Sequence, residues 1–225
     1  MGKHFHNEIY FGDSIATFYQ KNIETTFFNH YLKNEKSAIN LPEAYMFDTG
    51  KKEWKQFAEW PPKAAQKTQF YLRENGKFTT ETPSSASFTE YFSDPNKPVP
   101  SSTNLKDFNG FTPRNYMSED QRFTENRPDV ASFTTEILSD DITLAGEIKV
   151  KLKIASTGSD ADFFVKLIDI YPADEKNIKE KPGVIYGNYH QMVRSEIMPA
   201  RFRNSFEKPE TLVPNQETEV VFNLQ

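Results

Sequence analysis

The 225-residue sequence predicts a mainly β fold, a β-sandwich or jelly roll preceded by one α-helix. Three observations predict it. Only residues 13–32 repeat apolar side chains at helical spacing over any length. Beyond residue 41, short alternating runs recur between turn-forming Asn, Gly, Pro and Asp clusters, the pattern of antiparallel all-β domains. The apolar fraction is a modest 36%, but 20 Phe, 10 Tyr and 2 Trp supply large side chains that can fill a core.

The helix over 13–32 is read from Ile15, Phe18, Tyr19, Ile23, Phe27 and Tyr31, which make one apolar face. Asp13 or Ser14 is the expected N-cap, and Lys33-Asn34 the expected stop. Strands are predicted at 44–47, 53–57 and 68–73, with Trp60-Pro61-Pro62 ending the second. Asn75-Gly76 predicts a hairpin turn, because both residues tolerate positive φ. A further strand is expected at 87–92. Residues 93–126 are too long for a turn, and an ordered excursion over a sheet edge is expected, since Phe108, Phe111, Tyr116, Met117 and Phe123 are costly to leave in water. The sheet resumes at 130–137, 142–154, 162–171, 190–203 and 217–224, with a charged loop at 174–182. In the last strand Val220, Phe222 and Leu224 alternate with Glu219, Val221 and Asn223, so one face is buried.

Charge and composition narrow the function classes. Net charge is −5 with both signs interspersed and no basic stripe, so no nucleic-acid partner is expected. No apolar run reaches membrane-spanning length, so no membrane partner is expected either. Without cysteine there is no disulfide or thiolate metal site. The compartment stays open.

Several motifs invite a catalytic reading. Gly12-Asp13-Ser14, after Tyr10-Phe11 and before the helix, resembles the nucleophile motif of Gly-Asp-Ser esterases. A serine hydroxyl needs an adjacent base, and that family's late Asp-x-x-His is missing: Phe27 and Gly187 stand three residues before His30 and His190. Capping is the plainer role for Asp13 and Ser14. The elbow Gly-x-Ser-x-Gly is absent, and Ser195 and Ser205 read as strand and turn residues. His4 and His6 share a face if extended, but a solvated terminal pair is the expectation. Asp160, Asp162, Asp169, Asp174 and Glu175 lack calcium-loop spacing. His190 and Arg194, near Tyr186 and Tyr189, suggest either a groove or a half-polar strand face, and the face is preferred. No catalytic, cofactor-binding or metal-binding residue is assigned, and no cofactor is expected.

Longer stretches carry a resemblance. Residues 18–33, Ala44-Tyr45-Met46-Phe47-Asp48-Thr49-Gly50 with Glu53-Trp54, Met117-Ser118-Glu119-Asp120-Gln121-Arg122-Phe123, Arg127-Pro128-Asp129-Val130, Asp160–Pro172, Val193-Arg194-Ser195-Glu196 and 200–206 follow one another in order. Together they resemble the C-terminal β-domain of the cocaine esterase, α-amino acid ester hydrolase and X-Pro dipeptidyl-peptidase group of serine hydrolases, most closely its ester hydrolase and glutaryl cephalosporin acylase branch. The resemblance implies a galactose-binding-like jelly roll over 41–225, preceded over 1–40 by the last helix of an α/β-hydrolase domain. It also implies a parent that cleaves acyl esters or amides through a Ser–Asp–His triad lying upstream. Nothing here matches the family's Pro-Trp element before the triad histidine, so His4 and His6 inherit no catalytic role.

The expectation is therefore a non-catalytic β-domain, cut at both ends, inactive alone and partnered by the missing catalytic domain. Its open sheet edges are expected to favour self-association. The alternatives are a free-standing carbohydrate- or peptide-binding sandwich, marked by exposed aromatics near Tyr186 and Tyr189, and a Gly-Asp-Ser esterase.

Overall fold

The computed structural model describes residues 4–33, 39–103 and 115–225. Phe108 and Phe111, expected in the excursion, lie outside the described residues. The chain divides into two compact units, Met1–Thr103 with Thr124–Gly146, and Asn104–Phe123 with Glu147–Gln225.

The first unit opens with a small hairpin, β1 (Phe5–His6) and β2 (Ile9–Tyr10). A helical segment follows as α1 (Ile15–Phe18), a π-helical turn (Tyr19–Glu24) and α2 (Thr25–Leu32). The sequence predicted one regular helix. Two side chains bond backbone carbonyls in and just before the π turn: Thr25 Oγ1 donates to Gln20 O at 2.6 Å and Asn22 Nδ2 to Phe18 O at 3.0 Å. A π turn rotates the residues beyond it relative to those before it. Ile15, Phe18 and Ile23 are half-buried, whereas Phe27, Phe28, Tyr31 and Leu32 are exposed. The cap also differs from expectation. Ser14 occupies the cap position, but its hydroxyl donates to Thr17 Oγ1 at 2.8 Å and makes no cap bond, while Asp13 Oδ1 accepts from the Ser14 N–H.

Strands β3 (Ala44–Asp48) and β4 (Glu53–Phe57) pair antiparallel, Ala44 opposite Phe57. Phe18 stacks on Trp54 at 4.8 Å and meets Tyr45 edge-on at 5.7 Å, which seats the helix start on this hairpin. Next come β5 (Tyr71–Arg73) and β6 (Lys77–Thr79), joined through Asn75 and Gly76 at φ 59° and 68°, the conformation the Asn-Gly pair predicted. A Cβ on Gly76 would stand 3.0 Å from the Ser132 carbonyl, because residues around Thr134 run alongside. The strand expected at 130–137 reduces to one parallel bridge between Lys77 and Thr134. The strand expected at 87–92 does not form, and Phe88 and Phe92 are 82% and 89% exposed. Among the described residues of this unit only Ile9 and Ser102 are buried.

The second unit is a two-layered β-sandwich. One layer pairs β7 (Ile148–Ile154) with β10 (Thr218–Leu224), with Val220 opposite Leu152. The other pairs β8 (Asp162–Ile170) with β9 (His190–Pro199), with a bulge between Leu167 and Ile168. Alternation dictates which residues meet. Val220, Phe222 and Leu224 are buried together with Met198. Ile148, Val150, Leu152 and Ile154 of β7, and Phe163, Val165 and Leu167 of β8, pack against them. The expected strands thus form with trimmed ends: 142–147 stay outside β7, and 200–202 turn into a short 3₁₀ helix.

Phe222→Ala is expected to cost about 3 kcal/mol, since it opens a cavity in this core. Val221→Ala, on the opposite and more exposed face, is expected to cost less than about 0.5 kcal/mol. Urea midpoints at equal slope measure both.

Candidate functional site

The densest polar constellation lies in the second unit, where residues 115–122 lie against β8 and β9. Asn115 O accepts from the Ser118 and Glu119 N–H groups at 2.9 and 2.7 Å and curls the segment. A 3₁₀ turn, Gln121–Thr124, follows. The curl places side chains of opposite character on two sides.

On one side Gln121 is fully buried. Its Nε2 donates to Glu119 O at 2.7 Å, and its Oε1 accepts from Lys166 Nζ at 2.7 Å. The Lys166 ammonium sits 5.4 Å from the ring centres of both Phe123 and Phe164. Burial pushes its pKa down, and the charge of Glu119 partly offsets this. Tyr116 OH and Ser195 Oγ meet at 3.3 Å.

On the other side Asp120 Oδ1 accepts from the Arg122 N–H at 3.1 Å and the His190 N–H at 3.3 Å. Arg122 Nε donates to Asp120 Oδ2 at 2.6 Å, and its terminal nitrogens donate to the carbonyls of Gly187 and Ile185 at 3.3 and 3.1 Å. Tyr189 OH donates to the Ser118 carbonyl, and the Tyr189 ring lies 5.6 Å from those of Tyr171 and Tyr186. The loop before β9 also approaches closely: a Cβ on Gly187 would stand 2.5 Å from the Ala173 carbonyl.

These groups bind one part of the chain to another. Charged and amide side chains end on backbone groups, so the arrangement clasps an irregular segment onto a ladder and satisfies polar groups that would be costly to bury alone. Sequence reading had the Met117–Phe123 stretch only as a resemblance. It missed Lys166, whose apolar neighbours in β8 were the available signal. Tyr186 and Tyr189, around which a groove was the alternative expectation, are buried, as is His190, so among the described residues their rings line no open groove. Arg194 is exposed and donates to the Val193 carbonyl.

The remaining candidates are dispersed. His4 Nδ1 lies 2.7 Å from Gly12 O, and His6 is exposed in β1. Ser205 Oγ accepts from the Glu207 and Lys208 N–H groups, as a turn residue does. Arg201 bridges Asp160 and Asp162 at 2.8 and 3.1 Å. Burial pushes the Asp169 carboxyl up. In the first unit a shallow depression of about 210 Å³ is lined by Phe57, Ala58, Glu59, Pro62 and Lys63. It is smaller than ordinary ligand pockets, which run from about 300 Å³. Among the described residues no helix is long and apolar enough to cross a membrane.

The family model of the X-Pro dipeptidyl-peptidase C-terminal non-catalytic domain matches residues 37–225. The chain belongs to that family. A cocaine esterase from Rhodococcus sp. (strain MB1 Bresler) is 32% identical over 176 residues, which are 73% of this chain and 30% of that protein. An aminopeptidase from the marine sediment archaeon Thaumarchaeota archaeon superposes with a TM-score of 0.87 at 30% identity, over 99% of this chain and 36% of its own. An α-amino acid ester hydrolase superposes with a TM-score of 0.86 at 32% identity, over 98% and 36%. The chain therefore spans about a third of the length of these relatives.

Asp120→Ala removes the acceptor of three donors, and a loss of about 2 kcal/mol is expected from chemical denaturation. Asp120→Asn, which keeps one acceptor, should cost less. The Tyr171 phenol donates to Gln191 Oε1 and is pushed up to about 12, first by burial and then by Asp169, Glu175 and Tyr186. Its folded pKa lies above the unfolded value of about 10. The stability it contributes is complete below that value and is lost as pH rises toward 12. Tyr171→Phe is expected to flatten this alkaline limb in a pH series of thermal melts.

Proposed function

We propose that this chain serves as the non-catalytic β-domain of a serine hydrolase acting on acyl esters or amides. Its jelly roll of galactose-binding type occupies 41–225, and the helix within 1–40 belongs to the adjoining α/β-hydrolase domain. The Ser–Asp–His triad is proposed to lie in that domain, outside this chain. One observation carries the reading. The first unit has aromatic side chains throughout, yet among its described residues only Ile9 and Ser102 are buried. Phe27, Phe28, Tyr31 and Leu32 stand exposed on consecutive turns of α2. An apolar face of this kind marks a docking surface, and the catalytic domain is the proposed occupant. The three relatives, a cocaine esterase, an aminopeptidase and an ester hydrolase, support hydrolysis of an acyl bond as the parent's chemistry.

The Gly-Asp-Ser alternative has less support, because the Ser14 hydroxyl donates to Thr17 rather than to a base. Turnover of p-nitrophenyl acetate separates the two. The chain is expected to give no hydrolysis above that of buffer. Turnover that Ser14→Ala abolishes would revive the esterase and overturn the non-catalytic reading.

A further inference from the structure

Lys166 and Gln121 are 45 residues apart in sequence, and the curl of 115–122 brings the amine of one against the amide of the other. Lys166 Nζ donates to Gln121 Oε1 at 2.7 Å. The Cδ carbon lies one carbonyl bond, about 1.23 Å, beyond that oxygen, so nitrogen and carbon are at most about 3.9 Å apart. Reacting atoms in a near-attack arrangement stand about 3–3.5 Å apart. Gln121 is fully buried, and its Nε2 donates to the Glu119 carbonyl at 2.7 Å. The two ends of the amide are thereby fixed, oxygen toward the amine and nitrogen toward the backbone.

The surroundings suit condensation better than hydrolysis. The rings of Phe123 and Phe164 centre 5.4 Å from the amine, and the buried amide is shielded from water. Burial disfavours the ammonium form, so Lys166 gives up a proton more readily than a solvated lysine does. Glu119 supplies a carboxylate to the same group. It is buried, stands two residues from Gln121, and its charge acts on the Lys166 ammonium. Lys151 and Lys153 show the contrast: both are exposed and end on carboxylates, where an amine stays charged and meets no amide carbon.

We infer that Gln121 and Lys166 condense in the folded chain to a γ-glutamyl–ε-lysyl isopeptide bond, with Glu119 carrying the protons. Lys166 passes one proton to the Glu119 carboxylate. The neutral amine then adds its lone pair to Cδ of Gln121, and the carbonyl pair moves onto Oε1. Glu119 delivers its proton to Nε2, the carbonyl re-forms as the Cδ–Nε2 bond breaks, and ammonia leaves. The new amide nitrogen returns its extra proton to Glu119, from which the departing ammonia takes it as ammonium. One C–N bond forms and one breaks, so neither an oxidant nor a cofactor enters. The bond ties the clasp segment covalently to β8. It involves residues of this chain alone and stands without any parent hydrolase.

Mass spectrometry of the whole folded chain tests this. Its mass is expected to fall below that of the sequence by one ammonia. Trypsin is expected to release residues 115–122 joined to residues 154–176, with Lys166 left uncut. The joined peptide separates this bond from ammonia lost at Asn75-Gly76 through a succinimide. Lys166→Arg keeps a cation in place and is expected to retain the full mass. Glu119→Gln is expected to slow the condensation about a hundredfold, the usual worth of a positioned proton carrier. Far-UV circular dichroism checks that both variants fold. A folded wild-type chain that keeps its full mass through prolonged incubation at neutral pH overturns the inference, and so does ammonia loss without the joined peptide. A yield indifferent to Glu119→Gln overturns the role given to Glu119.

Discussion

The closure of two two-stranded ladders over Val220, Phe222 and Leu224 is the constraint on which the second unit depends. A ladder of two strands is marginal alone and gains stability only when one face is covered. Strict alternation on β10 puts its three apolar residues on one side, and β7 and β8 answer with alternating Ile, Val, Leu and Phe. A slip of one residue would turn Glu219, Val221 and Asn223 inward, so the apolar pattern specifies the register more firmly than backbone pairing does. The cross-strand pairs Lys151–Glu219 and Lys153–Glu217 lie on the exposed side, where ion pairs contribute little, and they decorate a register already chosen.

The clasp around Asp120, Gln121 and Tyr189 depends on that sandwich and does not create it. Its side chains end on carbonyls and N–H groups of irregular backbone, groups with no ladder to satisfy them. Lys166 illustrates the balance. Its ammonium loses water near β8, and two rings and an amide oxygen stand in for that water. Replacing any one partner leaves the others desolvated, which is why such networks respond to single changes more than their surface ion pairs do.

Legibility in the sequence followed this hierarchy. Strands β7 and β10 were readable because period-2 alternation over seven residues has few competing explanations, and the Asn75-Gly76 turn because both residues tolerate positive φ. The helix was readable to its position but not its regularity. The π turn depends on Thr25 and Asn22 reaching backbone carbonyls, which helical spacing does not encode. Ser14 met the rule for a cap residue, yet Thr17 one turn on gave its hydroxyl a competing acceptor. The strands expected at 87–92 and 130–137 had the right residue types; among the described strands the first finds no partner and the second only the bridge to Lys77, and pairing is not a local property. The clasp was visible only as a resemblance, because Ser-Glu-Asp-Gln-Arg reads as solvated surface until Tyr189 and His190, some seventy residues later, are brought against it.

The contrast between the units bears on what the chain does. Both hold aromatic residues, but one converts them into a covered core and the other leaves Phe27, Phe28, Phe88 and Phe92 in contact with water. Burying a Phe side chain is worth about 1.5–3 kcal/mol, so four bare rings represent stabilisation that only a further surface can supply. A free-standing binding module would place exposed aromatics over a concave site with convergent polar groups. Here they lie on a helix flank and on an unpaired segment. An exposed helix flank is a geometry of helix docking, one mode of assembly. The family to which the chain belongs is a non-catalytic domain, and the polar groups of the clasp are directed at the chain's own backbone.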